Sequence, residues 1–549
     1  MRVSFSNLLP ILALTSLFSL SFCGNSPHKN DKAITDSIEA AKAWNKTIVG
    51  NFSSQKIVYF DSLAIDSFLK IYPELAFLDS NLNKFYNNRN FNYAWFDQQG
   101  LIEQAGNLVA RVSNITDEGL FKSPPYKKEL DSLLLEVRME KQGNKPHTDL
   151  ELMLTAQYFN FARIAWQGTD QSVSESFKWY LPRKKVSYEQ YLDSLLTSDP
   201  KQLSSIKEPV YRQYELLKVF LAKFRKLDNE LNKWPIINAE KTAFRLNDSS
   251  AIIAQIRKRL FLLDDFKGDT TSHLFDQELM TSIQDYQTRL GLSPDGVIGK
   301  GTINTLNISP KDRIKQILVN MERSRWLPLS LQENYLAVNI PEFKLHVYHS
   351  DSLLWSTNVV VGRDLHQTVT FSGNLKYVVF SPYWNIPSSI VRNEIVPAMK
   401  KNSNYISRNN MEITGYSGGL PNIRQKPGPN NSLGLVKFLF PNSYNIYLHD
   451  TPAKSLFNES SRAFSHGCVR VEEPERLAQF LLHRDSSWSN DAIKKAMHAG
   501  IEKYVTLKKT VPVFITYFTA FVDRQGKINF RPDIYERDER LANMLLSEN

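Results

Sequence analysis

The stretch "IYLHDTPAKSLFNESSRAFSHGCVRV", residues 446–471, decides how the rest of the chain is read. It holds His449, His466, Cys468 and Arg470 in a 549-residue protein with only two cysteines. If "SHGCVR" runs extended, His466, Cys468 and Arg470 share one face, because strand side chains repeat every second residue. Tyr447 and His449 share a face of "YNIYLHD" by the same rule. Two adjacent strands of this kind would gather a thiol, two imidazoles, a phenol and a guanidinium. Nucleophilic acyl transfer needs such parts: a thiolate, an imidazole that takes and returns the proton, and donors for the oxyanion. Cys468 is the expected nucleophile and either histidine the base. Gly467 lets the backbone approach a substrate closely, so its N–H and that of Cys468 are expected oxyanion donors.

Plainer roles compete. A strand histidine is often a satisfied core residue, Tyr447 can simply pack, and Arg470 can pair with Glu472 or Glu473 on the surface. Two histidines and a cysteine are also a zinc ligand set. No Cys-x-x-Cys or His-x-x-x-His companion accompanies them, so neither a metal nor another cofactor is expected.

The other cysteine ends the N-terminal apolar run. "MRVSFSNLLPILALTSLFSLSFC" has an early Arg and an interrupted apolar stretch, the shape of a secretory signal and too short for a membrane span. "LSFC" resembles the lipobox of bacterial lipoproteins, with Phe22 where a small residue is usual. The resemblance implies lipidation at Cys23 and a membrane-held periplasmic protein of a Gram-negative bacterium, with ordinary cleavage or an uncleaved anchor as the alternatives; the polar, weakly patterned residues 24–60 read as a tether. Cys468 would then be the one remaining thiol, without a disulfide partner.

At about 150 residues per domain the chain should hold three or four domains. Lys plus Arg exceed Asp plus Glu by 67 to 57. That surplus suits a surface facing a carboxylate-rich polymer. No basic cluster with interleaved aromatics points to nucleic acid.

The organisation reads as a multi-domain α+β protein. Residues 61–245 show three- and four-residue apolar spacing and are expected to be helical. Residues 246–308 form a three-helix module, with Ile252, Ile256 and Leu260 on one helix face and Leu279, Ile283, Tyr286 and Leu290 on another. Asp276 is its expected N-cap. Residues 309–333 read as a linker helix. Short β-branched and aromatic runs then define a mainly β domain over 334–523. Within it, the polar segment 388–434 reads as a lid-like insertion. Residues 524–549 are left as a C-terminal tail.

"FDQELMTSIQDYQTRLGLSPDGVIGKGTINTLN" closely resembles the peptidoglycan-binding type 1 domain. "IYLHD", a gap, then "SHGCVRV" resembles the signature of the L,D-transpeptidases, the YkuD-like cysteine acyltransferases that cross-link peptidoglycan. "RWLP", "VNIPEFKLHVY", "VVVGR", "PYWNIPSSI", "RQKPGPNNSLGLVKFLFPN" and "RLAQFLL" fall where large multi-domain members have similar stretches. Residues 61–245 resemble their scaffold domain more loosely. Val369 and Ser381 depart from the usual Pro and Asn. The resemblance implies that His449 is the general acid/base and His466 a supporting residue. It makes Tyr447 and Gly467 oxyanion contributors, and Arg470 with Trp384 substrate-binding residues. The implied partners are tetrapeptide stems as donor and acceptor, and carbapenems as inhibitors. The implied reaction releases D-alanine and forms 3-3 cross-links. A cysteine hydrolase and a non-catalytic wall-binding scaffold are the alternatives.

Overall fold

The computed structural model describes residues 58–547 apart from 98–99, 121, 140–144, 198–206, 232, 239–240, 330–332 and 351. Cys23, with the expected signal and tether up to residue 57, lies outside the described residues. Among the described residues no helix is long and apolar enough to cross a membrane.

Eight strands close into a barrel: β1 (Asn334–Asn339), β2 (Lys344–His349), β3 (Ser352–Gly362), β4 (Thr370–Phe380), β5 (Val436–Leu439), β6 (Leu448–His449), β7 (Val469–Val471) and β8 (Lys503–Thr516). Around the ring the order is β5-β6-β7-β3-β2-β1-β8-β4, and β4 pairs again with β5. Closure gives the edge backbone groups partners that an open sheet would lack. Only β6–β7 and β1–β8 are parallel neighbours in this ring. Phe438, Leu448, Val469 and Val471 join the barrel core. Strand alternation therefore turns Lys437, His449 and Arg470 to the opposite face.

The helical half is built around Thr148–Phe161, in which every residue from Leu150 to Phe161 is buried. Such all-round burial suits a helix enclosed by others. A short strand, Trp179–Tyr180, leaves this half and pairs in parallel with Thr370 and Phe371 of β4. Helices Ala251–Leu262, Gln277–Arg289 and Lys300–Leu306 follow. Asp276 accepts the Leu279 N–H at 2.9 Å and caps the second of them. Their apolar faces merge with those of the helical half into one core.

Three expectations need correction. The "linker" helix, Pro310–Arg325, is a central spine. Its Ile317, Leu318 and Met321 enter the helical core, while Val319 and the following Trp326 enter the barrel-side core. The "tail" is folded as well. Strands Ala520–Val522 and Ile528–Phe530 form a hairpin that completes the helical core. Helix Asp538–Ser547 places Leu541 and Ala542 against the barrel side.

The polar segment 388–434 is a folded insertion and not a loop. Strands Met411–Ser417 and Leu420–Gln425 pair with each other, and the second pairs with Trp384–Asn385. Ile386, Ile390, Val391, Ile395, Met411 and Ile423 form its own small core. Those few apolar positions are diluted by polar neighbours, which is why the segment's own core does not show in its composition.

Candidate active site

The parallel register of β6 and β7 sets the site. His449 lies opposite Arg470, and Leu448 opposite Val469. Val469 N–H donates to the Tyr447 carbonyl at 3.1 Å, so Tyr447 comes beside Cys468 one step earlier. On the other side of β6, Lys437 of β5 lies opposite His449. A row of Lys437, His449 and Arg470 thus crosses three adjacent strands, flanked by Tyr447 and Cys468.

Cys468 is partly buried and is the free thiol among the described residues. Its Sγ–H donates to the Asn445 carbonyl at 3.6 Å. Burial pushes the thiol pKa up; hydrogen bonds from the Tyr447 backbone and side chain, and the Arg470 charge, act in the other direction. The Tyr447 hydroxyl is raised by burial and by the nearby sulfur, and it also hydrogen-bonds Trp384. Trp384, Tyr447 and Cys468 therefore form a chain of contacts from the insertion to the nucleophile.

His449 is buried, and its ring nitrogen Nδ1 lies 2.5 Å from the Asp450 carbonyl. A carbonyl can only accept, so Nδ1 carries the proton and Nε2 keeps the lone pair a base needs. Burial first, then Arg470 and Lys437, lower the imidazole pKa to about 3. A neutral imidazole beside a thiol of raised pKa favours proton transfer during attack over a preformed ion pair.

Asp450 fixes this arrangement. Its carboxylate accepts the Thr451 N–H at 2.7 Å and the Leu435 N–H at 2.8 Å, and Lys454 Nζ at 2.7 Å. Gly434, at φ 62°, passes so close that an added Cβ would sit 2.3 Å from that carboxyl.

Gly467 departs from its expected role. At φ 113° it breaks the extended run, and its N–H donates to Ser465 Oγ at 3.1 Å. Ser465 Oγ in turn donates to the Cys468 carbonyl at 2.5 Å. One of the expected oxyanion donors is thus engaged within its own turn. The break also ends the alternation that would have put His466 on the face of Cys468 and Arg470. His466 turns to the insertion instead, with Nε2 at 2.9 Å from Glu394 and 3.4 Å from Arg363.

Arg470 does not pair with the neighbouring glutamates. Glu472 accepts from Asn358 and Glu473 from Arg476, and Arg470 Nε is buried without a partner. A buried guanidinium edge left open is suited to a carboxylate ligand. Among the described residues no group of three or more His, Cys, Asp or Glu could hold a metal ion. Lys437, Asp450, Glu394 and Asn445 were not expected at the site. Only Asp450 had a sequence signal, as the residue after His449; the others depend on register and on the insertion's fold.

Residues 333–513 match the L,D-transpeptidase catalytic domain. The barrel is thus similar to the catalytic domain of the L,D-transpeptidases. Residues 80–221 match the Scaffold domain that precedes it. A Haemophilus influenzae protein named "Putative L,D-transpeptidase" is 32% identical over 243 residues, covering 41% of this chain. The chain spans about half, 49%, of that relative's length. Among solved structures, the L,D-transpeptidase of Stackebrandtia nassauensis is 14% identical, covers 53% of this chain and 100% of its own, with a TM-score of 0.22. L,D-transpeptidase 3 of Mycobacterium tuberculosis, in complex with a faropenem-derived adduct, is 13% identical over 34% of this chain and 61% of its own, with a TM-score of 0.18.

Proposed function

We propose that this chain is a peptidoglycan L,D-transpeptidase acting through a cysteinyl acyl-enzyme. One observation carries the reading: Cys468, held by Tyr447, shares a strand face with a neutral His449 and an open Arg470. Arg470 takes a carboxylate of a tetrapeptide stem. The Cys468 sulfur attacks the carbonyl of the stem's third residue while His449 Nε2 accepts the thiol proton. With Gly467 N–H engaged, the Tyr447 hydroxyl is the side-chain donor available to the oxyanion. The peptide C–N bond breaks, the leaving D-alanine amine takes the proton from His449, and a thioester remains. An acceptor amine then attacks the thioester, His449 takes its proton and returns it to sulfur as the C–S bond breaks.

The amine in this reading is the side chain of another stem's third residue, which makes a 3-3 cross-link. The folded insertion, touching His466 through Glu394 and Tyr447 through Trp384, acts as a lid that limits water. The helices of residues 251–306 hold wall material, and a lipid on Cys23 holds the enzyme at a periplasmic membrane surface. Carbapenems acylate the same sulfur.

Purified chain incubated with disaccharide-tetrapeptide should yield dimeric cross-linked product and one D-alanine per acyl transfer, read by mass. Tripeptide and D-alanine alone, with acceptor stems abundant, would replace transfer by hydrolysis. Absence of both products would remove the activity altogether. Detergent-phase partitioning of the exported wild type against Cys23→Ser tests the anchor.

A further inference from the structure

Two tyrosines from different parts of the chain meet next to the loop residue whose carbonyl holds the nucleophile. Tyr180, from the scaffold strand that joins β4, stacks on Tyr444 at 5.5 Å with 28° between the rings. Tyr444 rests in turn on Phe371, at 4.8 Å. The loop carrying Tyr444 is rigidly closed by Asn442, whose amide donates to Phe440 and Ile446 carbonyls and accepts from Tyr444 and Ile446 N–H groups. The next residue, Asn445, supplies the carbonyl that accepts the Cys468 thiol. Tyr180 and Tyr444 nonetheless stay 42% and 36% exposed. A pair serving only to staple the scaffold to the barrel would gain most by burial. This pair instead presents aromatic surface to solvent.

We propose that the Tyr180–Tyr444 platform is a saccharide subsite that receives a pyranose ring of the glycan strand bearing the donor stem. The inference rests on the transpeptidase reading for the identity of the stem. The C–H face of a pyranose packs on an aromatic ring, while phenol hydroxyls at the ring edge meet sugar hydroxyls. The spacing is consistent. Tyr444 is one Cα step, about 3.8 Å, from the residue that holds the thiol, and a three-residue stem reaches at most about 10–11 Å from its acyl carbon to its sugar. A stem in the cleft therefore brings its sugar to the rim on which the platform stands. The scaffold half, through Tyr180, becomes part of substrate recognition.

Binding to the full chain carrying Cys468→Ala separates this from the chemistry. Calorimetric Kd values would be compared for disaccharide-tetrapeptide and for free tetrapeptide, with Tyr180 intact, as Tyr180→Ala and as Tyr180→Trp. The expected result is a tighter Kd for the disaccharide form by about three- to tenfold, the scale of one aromatic stacking contact. That preference should vanish in Tyr180→Ala, whose backbone can still pair with β4, and persist in Tyr180→Trp. Equal affinities for the two ligands with Tyr180 intact would overturn the subsite, as would a preference that survives Tyr180→Ala or absence of binding by either ligand. D-alanine release by the Cys468-containing chain is a separate readout, so failure of the transpeptidase reading shows independently.

Discussion

Buried charge occurs in two very different settings in this molecule. On the spine helix, Glu322 accepts from Thr169, Trp326 and Arg325, and Arg325 also donates to the carbonyls of Ala165 and Glu118. Nearby, Glu118 is held by Arg111, Lys218 and Tyr214. On the barrel face, Arg470 keeps an open Nε, and the Lys437 ammonium makes long contacts: 3.4 Å to the Tyr383 carbonyl, 3.8 Å to Glu502 and 5.9 Å to the Tyr504 ring centre. Both settings carry the desolvation cost of burying charge. In the first, partners within the chain offset it. In the second, polar capacity is left open, as a site that must bind and react requires.

The sharpest way to break this contrast lies at the nucleophile. Intact mass should show a one-to-one carbapenem adduct on the wild type and none on Cys468→Ala, whereas an adduct surviving the change would move the site elsewhere. His449→Ala should lower the acylation rate by about 10²–10⁴-fold with the fold intact. Next comes a pair of arginines. Arg325→Met should cost about 3–5 kcal/mol in denaturant unfolding, because it leaves Glu322 buried and unpaired. Arg470→Met should change stability by less than about 1 kcal/mol and weaken stem binding instead. Equal stability losses for the two would erase the distinction.

Gly434→Ala tests the support beneath His449. The left-handed backbone and the collision with Asp450 should cost about 1–3 kcal/mol and lower acylation together with stability. A smaller effect concerns acid. The His449 pKa is lowered from 6.5 to about 3, so its neutral form contributes stability fully above pH 6.5, and that contribution is lost as pH falls toward 3. Acylation should accordingly lose no rate to His449 protonation between pH 7 and 5. In Lys437→Met, with one flanking cation gone, the acid limb should move upward. The smallest change is expected from His466→Ala, less than about tenfold in acylation, since His466 faces Glu394 and not the sulfur.

Much of the site was legible in "YLHD" and "SHGCVR", because period-two spacing placed Tyr447 with His449 and Cys468 with Arg470. The reading failed at Gly467, whose positive φ interrupts the period and sends His466 to the other side. It also missed Lys437, which becomes a neighbour only through the register of β5 with β6. Helical texture was legible over most of 61–325. The burial of the spine was not: "DRIKQILVNMERSR" looks solvent-facing until acceptors for its arginines arrive from far away, the carbonyls of Glu118 and Ala165 and the carboxylate of Asp538. Local sequence cannot show a charge that is satisfied more than a hundred residues away.

The hairpin at 520–530 carries a consequence for how the chain reaches its native state. Ala520, Val522, Ile528 and Phe530 complete a core whose other members lie between residues 60 and 321. A ribosome delivering the chain from its N-terminus therefore releases the helical half with an apolar gap that only the hairpin at 520–530 can fill. Native closure waits until that hairpin has emerged. Until then the nascent helical half exposes sticky surface that holdase chaperones can shield.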